Sequence, residues 1–164
     1  MGGFMGGRRA YGFGLTELII LTVVITVVAA FAYPQYQNFA ARTQVTRALK
    51  ETADIRLIVD NCLLNDLTPV GKGATECDPK VAPSKYLVGA IQGAPFPPSV
   101  AGGVPQIAPA DLGLPLTITA TFGNTAFASL KKAGQNTLVW TKGVSGAWTC
   151  TATVPTEYRP ASCK

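Results

Sequence analysis

From residue 13 to residue 33 the chain is apolar throughout except for one acid, Glu17. As a helix this run of 21 residues would extend about 31 Å at 1.5 Å per residue, enough to cross a bilayer's hydrocarbon core. A carboxylate placed in that setting costs on the order of a few kcal/mol, so it needs a partner or a task. A short leader containing Arg8-Arg9 precedes the run and ends at Gly12. Its basic pair favours an orientation with the N-terminal side in the cytoplasm and everything beyond the run outside it.

Two ordinary explanations share that orientation. A secretory signal would have a basic start, an apolar core and a small-residue cleavage site, which Ala29-Ala30-Phe31-Ala32 could supply. A single-pass anchor would simply retain the leader. Neither accounts for Glu17 or for the polar segment that begins at Pro34.

The stretch G-F-G-L-T-E-L at 12–18, the apolar run behind it and P-Q-Y-Q-N-F-A-A-R at 34–42 together resemble the processing site and N-terminal helix of type IV pilins. The resemblance implies that a prepilin peptidase cuts between Gly12 and Phe13 and methylates the new amino group of Phe13. It further implies a role for Glu17 in assembly and a helical homopolymer as the functional form. The precursor would sit in the inner membrane with the pilus assembly machinery, and the product would be an extracellular filament used for adhesion and twitching motility. The chain departs from the family at Gly14, where Thr is more usual, at Thr16, where an aliphatic residue is, and at Thr26, often Gly. The division expected is a leader at 1–12, an apolar assembly half of the helix at 13–34, and a head at 35–164.

Pro34 interrupts a helical pattern. A proline removes one backbone donor and clashes with the preceding turn, so a kink or local opening is expected over residues 30–34. Beyond it Val45, Leu49, Thr52, Ile55, Val59 and Cys62 recur at steps of three or four and trace one face of a helix. Arg47 with Glu51, Lys50 with Asp54 and Arg56 with Asp60 are spaced to pair along a solvated face. A helix from Phe13 to about Asn61 would be roughly 70 Å long. So long a rod is more than a head of this size needs, which puts its first half in lipid or in a bundle of identical rods.

The helical signal stops near Leu63. Residues 65–83 carry Pro69, Gly71, Gly73, Pro79 and Pro83 and read as a loop. A first strand is expected over 85–91, and a Gly- and Pro-rich loop without regular structure over 92–113, in which Gly102 and Gly103 read as turn residues. Strands follow at 114–122, 136–142 and 147–153, with a hairpin turn at 143–146. Residues 125–132 fit either a short helix or a loop. The expected fold is α+β, a long N-terminal helix packed on a four-stranded antiparallel sheet, which is the pilin fold that the resemblance implies.

All four cysteines lie in the part expected outside the cytoplasm, where disulfides persist. Four cysteines allow three connectivities. Pairing neighbours, Cys62 with Cys77 and Cys150 with Cys163, is the simplest because each pair brackets one loop, and closing a loop of this size contributes about 3 kcal/mol. W-T-C at 148–150, followed by Cys163 close to the chain end, resembles the C-terminal disulfide loop of pseudomonad type IV pilins. In that family the loop is exposed and in some members binds host-cell glycans. Pro155, Glu157, Tyr158, Arg159 and Pro160 are thereby candidates for a receptor loop, whose other reading is a bridge that pins the last strand.

The chain has no histidine and no CxxC, which removes histidine-based nucleophilic triads and leaves little for a metal centre. No phosphate-binding GxxxxGK[ST] motif is present, and nothing implies an enzyme, a metal or a cofactor. Without Arg8 and Arg9 the chain keeps twelve basic against nine acidic side chains, a charge of +3 rather than +5. A competence-type minor pilin that captures DNA would need a basic surface patch, and Lys131, Lys132 and Lys142 are the only near-cluster. A type II secretion pseudopilin is the other rival, and the terminal cysteine loop argues against it.

Overall fold

The computed structural model describes residues 12, 14–94 and 101–164; Phe13 and the leader arginines lie outside the described residues. The chain divides into two units, Met1–Tyr36 and Gln37–Lys164, and one helix, α1 (Leu15–Leu64), contributes to both.

In the first unit every described residue is exposed. Leu15, Ile20 and Phe31 are 76%, 63% and 74% accessible, and α1 contains a window of mean hydropathy 2.5, long and apolar enough to cross a membrane. The hydroxyls of Thr22 and Thr26 do not spoil that surface. Each donates to a carbonyl one turn back, Ile19 and Val23, at 2.8 Å, so their donors are satisfied within the helix. The helix runs through Pro34 without interruption, because one missing donor leaves the hydrogen-bonded turns on either side to hold the geometry.

In the second unit α1 turns one face to the core: Ala41, Val45, Ala48, Thr52, Ile55, Val59 and Cys62 are buried. The periodic face read from the sequence is this one, with Ala41 and Ala48 added and Leu49 only half-buried at its margin. α1 ends in a Schellman arrangement. Asp66 takes the left-handed conformation, φ 56°, its N–H donates to the Leu63 carbonyl, and Leu67 N–H reaches the Cys62 carbonyl at 3.0 Å.

The sheet has five antiparallel strands rather than four: β1 (Leu87–Val88), β2 (Gln106–Ala108), β3 (Leu116–Phe122), β4 (Thr137–Lys142) and β5 (Trp148–Ala152). The order is β1-β3-β4-β5, and β2 also pairs with β3. β1 lies against Phe122 and Thr121 and β2 against residues 117–119, so the two short strands share one edge and the sheet is four positions wide. The first strand is shorter than the expected 85–91 because Gly89, at φ 140°, turns the chain out of line. β2 lies inside the stretch expected to be irregular. A side chain helps to hold it: the Gln92 amide donates to the Ile107 carbonyl at 2.9 Å and accepts from the Ile107 N–H at 2.6 Å. Gly103 is not a turn residue but a crossing point. It exchanges backbone bonds with Ser84, and a Cβ there would run into the Val88 backbone. The ambiguous stretch holds a single 3-10 turn, Ala128–Leu130, and the 143–146 hairpin closes through Gly146 N–H to the Gly143 carbonyl.

Inward residues of β3, Leu116, Ile118, Ala120 and Phe122, meet the α1 face together with Leu138, Cys150 and Ala152. Full burial of a large aliphatic or aromatic side chain contributes about 1.5–3 kcal/mol. The opposite face of β3 carries Thr117, Thr119 and Thr121, which are only partly covered.

Candidate functional site: the start of α1 and the terminal disulfide loop

Glu17 sits in the first turn of α1. Its Oε2 accepts the Gly14 N–H at 3.0 Å, while the Gly14 carbonyl accepts the Leu18 N–H at 3.2 Å. Gly14 is therefore the N-cap, and Glu17, three residues on, supplies the backward half of a capping box. The carboxylate also lies at the positive end of the helix dipole. The sequence asks for a partner or a task for Glu17, and the Gly14 N–H is a local partner. The Glu17 side chain is thereby aimed at the residue next to the Gly12–Phe13 junction. Among the described residues, a Cβ at Gly12 would meet nothing within 4 Å.

At the other end of the chain, Cys150 and Cys163 are joined, with Cα atoms 4.5 Å apart. Cys62 and Cys77 are joined at 5.6 Å, tying the last turn of α1 to the loop after it. Within the terminal loop, Tyr158 N–H donates to the Pro155 carbonyl and Cys163 N–H to the Pro160 carbonyl. Lys164 exchanges bonds with Cys150 and Ala152, so the end of the chain continues the sheet.

The loop's candidate residues separate into two groups. Tyr158, expected to offer an aromatic contact, is buried at 8% exposure, and its hydroxyl donates to Asn38 Oδ1 at 3.0 Å. It anchors the loop on α1 because a phenol ring stabilises more by burial than by exposure once its hydroxyl has an acceptor. Glu157 is exposed, and Pro155, Arg159 and Pro160 are partly so. Arg42, on α1, donates from Nε to the Glu157 carbonyl at 2.6 Å.

Two further side-chain arrangements depart from the sequence reading. Arg47 and Glu51 do pair, at 3.6 Å. Arg56 does not pair with Asp60: its guanidinium lies 3.9 Å from the centre of the Trp140 ring and 5.2 Å from that of Trp148. Asp60 instead accepts from Lys142 Nζ and from Trp148 Nε1. Lys50 and Asp54 are not among the ion pairs of the described residues. Because the Lys142 ammonium is taken up by Asp60 and its side chain is only 14% exposed, the basic near-cluster reduces to Lys131 and Lys132.

A long N-terminal helix packed on an antiparallel sheet, with Cys150 and Cys163 joined near its last strand, is consistent with the pilin fold. Residues 41–164 match the Pilin family, described as bacterial filament proteins. The chain belongs to that family. It is 39% identical over 157 residues to a probable minor fimbrial protein of Dichelobacter nodosus, covering 96% of each chain. It is 37% identical to the type IV major fimbrial protein FimA of the same organism, over 93% of this chain and 95% of that one. With a fimbrial protein of Pseudomonas aeruginosa the identity is 32%, at the same two coverages. Pilins are structural, self-assembling proteins, and this chain is a type IV pilus subunit of an extracellular fimbria, with an apolar helix suited to membrane anchoring before assembly.

Proposed function

We propose that the chain is made as a precursor, cut between Gly12 and Phe13 by a prepilin peptidase, methylated on the new amino group, and drawn from the inner membrane into a pilus by the assembly machinery. The observation that carries this reading is the direction of the Glu17 carboxylate, held on the Gly14 N–H at 3.0 Å. Cleavage would create an ammonium one residue before Gly14. An exposed apolar helix would bring the same carboxylate within reach of the ammonium of a neighbouring subunit, and in a lipid-like bundle such a pair would fix the register of docking. The filament would serve adhesion and twitching motility, with the terminal disulfide loop presented to host surfaces. Intact-mass and N-terminal peptide analysis of membrane-derived protein tests the processing: N-methylated Phe13 is expected, and a start after Ala30 or Ala32 would overturn the reading.

A second reading concerns abundance. The probable minor fimbrial proteins of Dichelobacter nodosus match at 39% and 38% identity and the major FimA proteins at up to 37%. A minor subunit placed among a different major pilin would be processed in the same way. The composition of sheared filaments separates the two: a chain present as the bulk of the mass is the major subunit. DNA capture rests only on the adjacent Lys131 and Lys132.

A further inference from the structure

The outward face of β3, β4 and β5 is a grid of threonines. Residues opposite one another in register share a face, and alternate residues along a strand return to it. One row across the three strands is Thr117, Thr141 and Thr149, and the next is Thr119, Val139 and Thr151. In the third row Thr121 lies opposite Thr137, whose hydroxyl meets that of Thr153 at 2.9 Å. Val139 alone is not a threonine, and it keeps the branched shape. No charged or aromatic side chain stands in the grid, and the flanking positions on the two short strands, Val88, Gln106 and Ala108, add none. The β5 side of the face is exposed and the rest is partly so. Thr117 and Thr149 donate to carbonyls of the neighbouring strands, while the hydroxyls of Thr119, Thr121, Thr141 and Thr151 have no hydrogen-bond partner among the described residues.

We propose that this face binds ordered water, the surface of an ice crystal. Strand propensity accounts for threonine at any one of these positions. It does not account for a solvent-facing grid free of charge in a chain with 14 basic and 9 acidic side chains. A β-branched side chain is stiff about its first torsion, so methyl and hydroxyl groups stand at fixed points, about 4.8 Å apart across strands and about 6.8 Å apart along them. Both repeats lie close to the spacings of oxygen rows on the prism faces of hexagonal ice. The free hydroxyls can enter such a lattice as donors or acceptors, and the methyl groups fill the gaps without competing for hydrogen bonds. Other occupants fit the chemistry less well. Nucleic acid needs cations, a bilayer surface needs large apolar or basic groups, and the anchors of protein interfaces are enriched in aromatic residues and Arg. Sheet twist, roughly 20–25° between neighbouring strands, confines the match to a facet three strands wide, so one chain holds ice weakly. The site belongs to the single chain; a filament repeats it.

The test grows ice slowly from a solution of the full-length chain in detergent and measures the share of protein taken into the crystal, with serum albumin as the excluded control. The chain should be enriched in the ice over albumin. Thr141→Lys with Thr151→Lys places two charges in the grid, whose desolvation against ice should lower the share roughly tenfold. Thr151→Lys alone, at an exposed position of β5, should fall between the two. Thr46→Lys puts the same charge on an exposed position of α1 and should leave the share unchanged. Surface changes of this kind have little effect on folding, which an intact Cys150–Cys163 bridge and an unchanged melting temperature check. Exclusion of the unsubstituted chain to the same extent as albumin, or equal uptake of the doubly substituted chain, would overturn the site. Self-association that the two lysines abolish, without uptake into ice, would assign the face to a second copy of the chain and overturn it as well.

Discussion

The Thr52 hydroxyl accepts the Trp140 indole N–H at 3.1 Å, joining two residues that are 88 positions apart in sequence. Thr52 is fully buried on the α1 face and passes its own proton to the carbonyl of Ala48 or Leu49, each at 2.9 Å. The bond therefore sits where helix meets sheet, beside the Arg56 guanidinium stacked on the same indole.

Removing that hydroxyl while keeping its shape should be costly. Thr52→Val leaves the Trp140 N–H without its acceptor in a partly buried position, a loss of about 1–3 kcal/mol. A double-mutant cycle with Trp140→Phe, read by urea unfolding of the full chain in detergent, should return a coupling energy of about 1 kcal/mol between the two sites. Strict additivity would show that the bond contributes nothing.

Much of this packing is legible in the sequence, and the omissions have physical causes. The steps Val45, Leu49, Thr52, Ile55, Val59 and Cys62 carry the helix face because large or branched side chains make its period visible. Ala41 and Ala48, equally buried, are silent because a methyl group signals neither burial nor exposure. The long alternating strands β3, β4 and β5 are readable within a residue or two at their ends. β2 is not, since three residues held partly by the Gln92 amide leave no periodic trace. Charge spacing along α1 misleads at Arg56 and Asp60 because β4 and β5 bring Trp140, Lys142 and Trp148 to them, and partners from a sheet outrank neighbours on a helix. At the terminal loop the sequence marks the residues, but only the structure shows that Tyr158 faces inward. At Glu17 it marks the anomaly and misses the cap.

Tyr86 offers a pH-dependent signature outside the apolar segment. Burial first, then the hydrogen bond it donates to Glu51 Oε1 at 2.7 Å, pushes its phenol up from 10.0 to about 12. The fold thus favours the protonated phenol. Its contribution is whole below pH 10 and is lost as pH rises through 12, because the unfolded chain releases that proton first. Tyrosinate absorbance should show one tyrosine titrating near pH 12, absent in Tyr86→Phe, and the variant's stability should fall less steeply between pH 10 and pH 12 than that of the unsubstituted chain. An unchanged titration in Tyr86→Phe would assign the late step to another group.

The central claim is that Glu17 serves assembly, beyond capping its own helix. Glu17→Gln keeps an oxygen that can accept the Gly14 N–H but removes the charge that a neighbouring ammonium would need. Stranding one member of a buried ion pair costs about 3–5 kcal/mol, which is enough to stop docking without preventing insertion or cleavage. The decisive measurement is the yield of sheared filaments against total membrane pilin, with the mature N-terminus determined in the same sample, in cells where this chain is the sole major pilin. The account predicts normal amounts of correctly processed Glu17→Gln subunit and few filaments; a yield equal to that of the unsubstituted chain would contradict it.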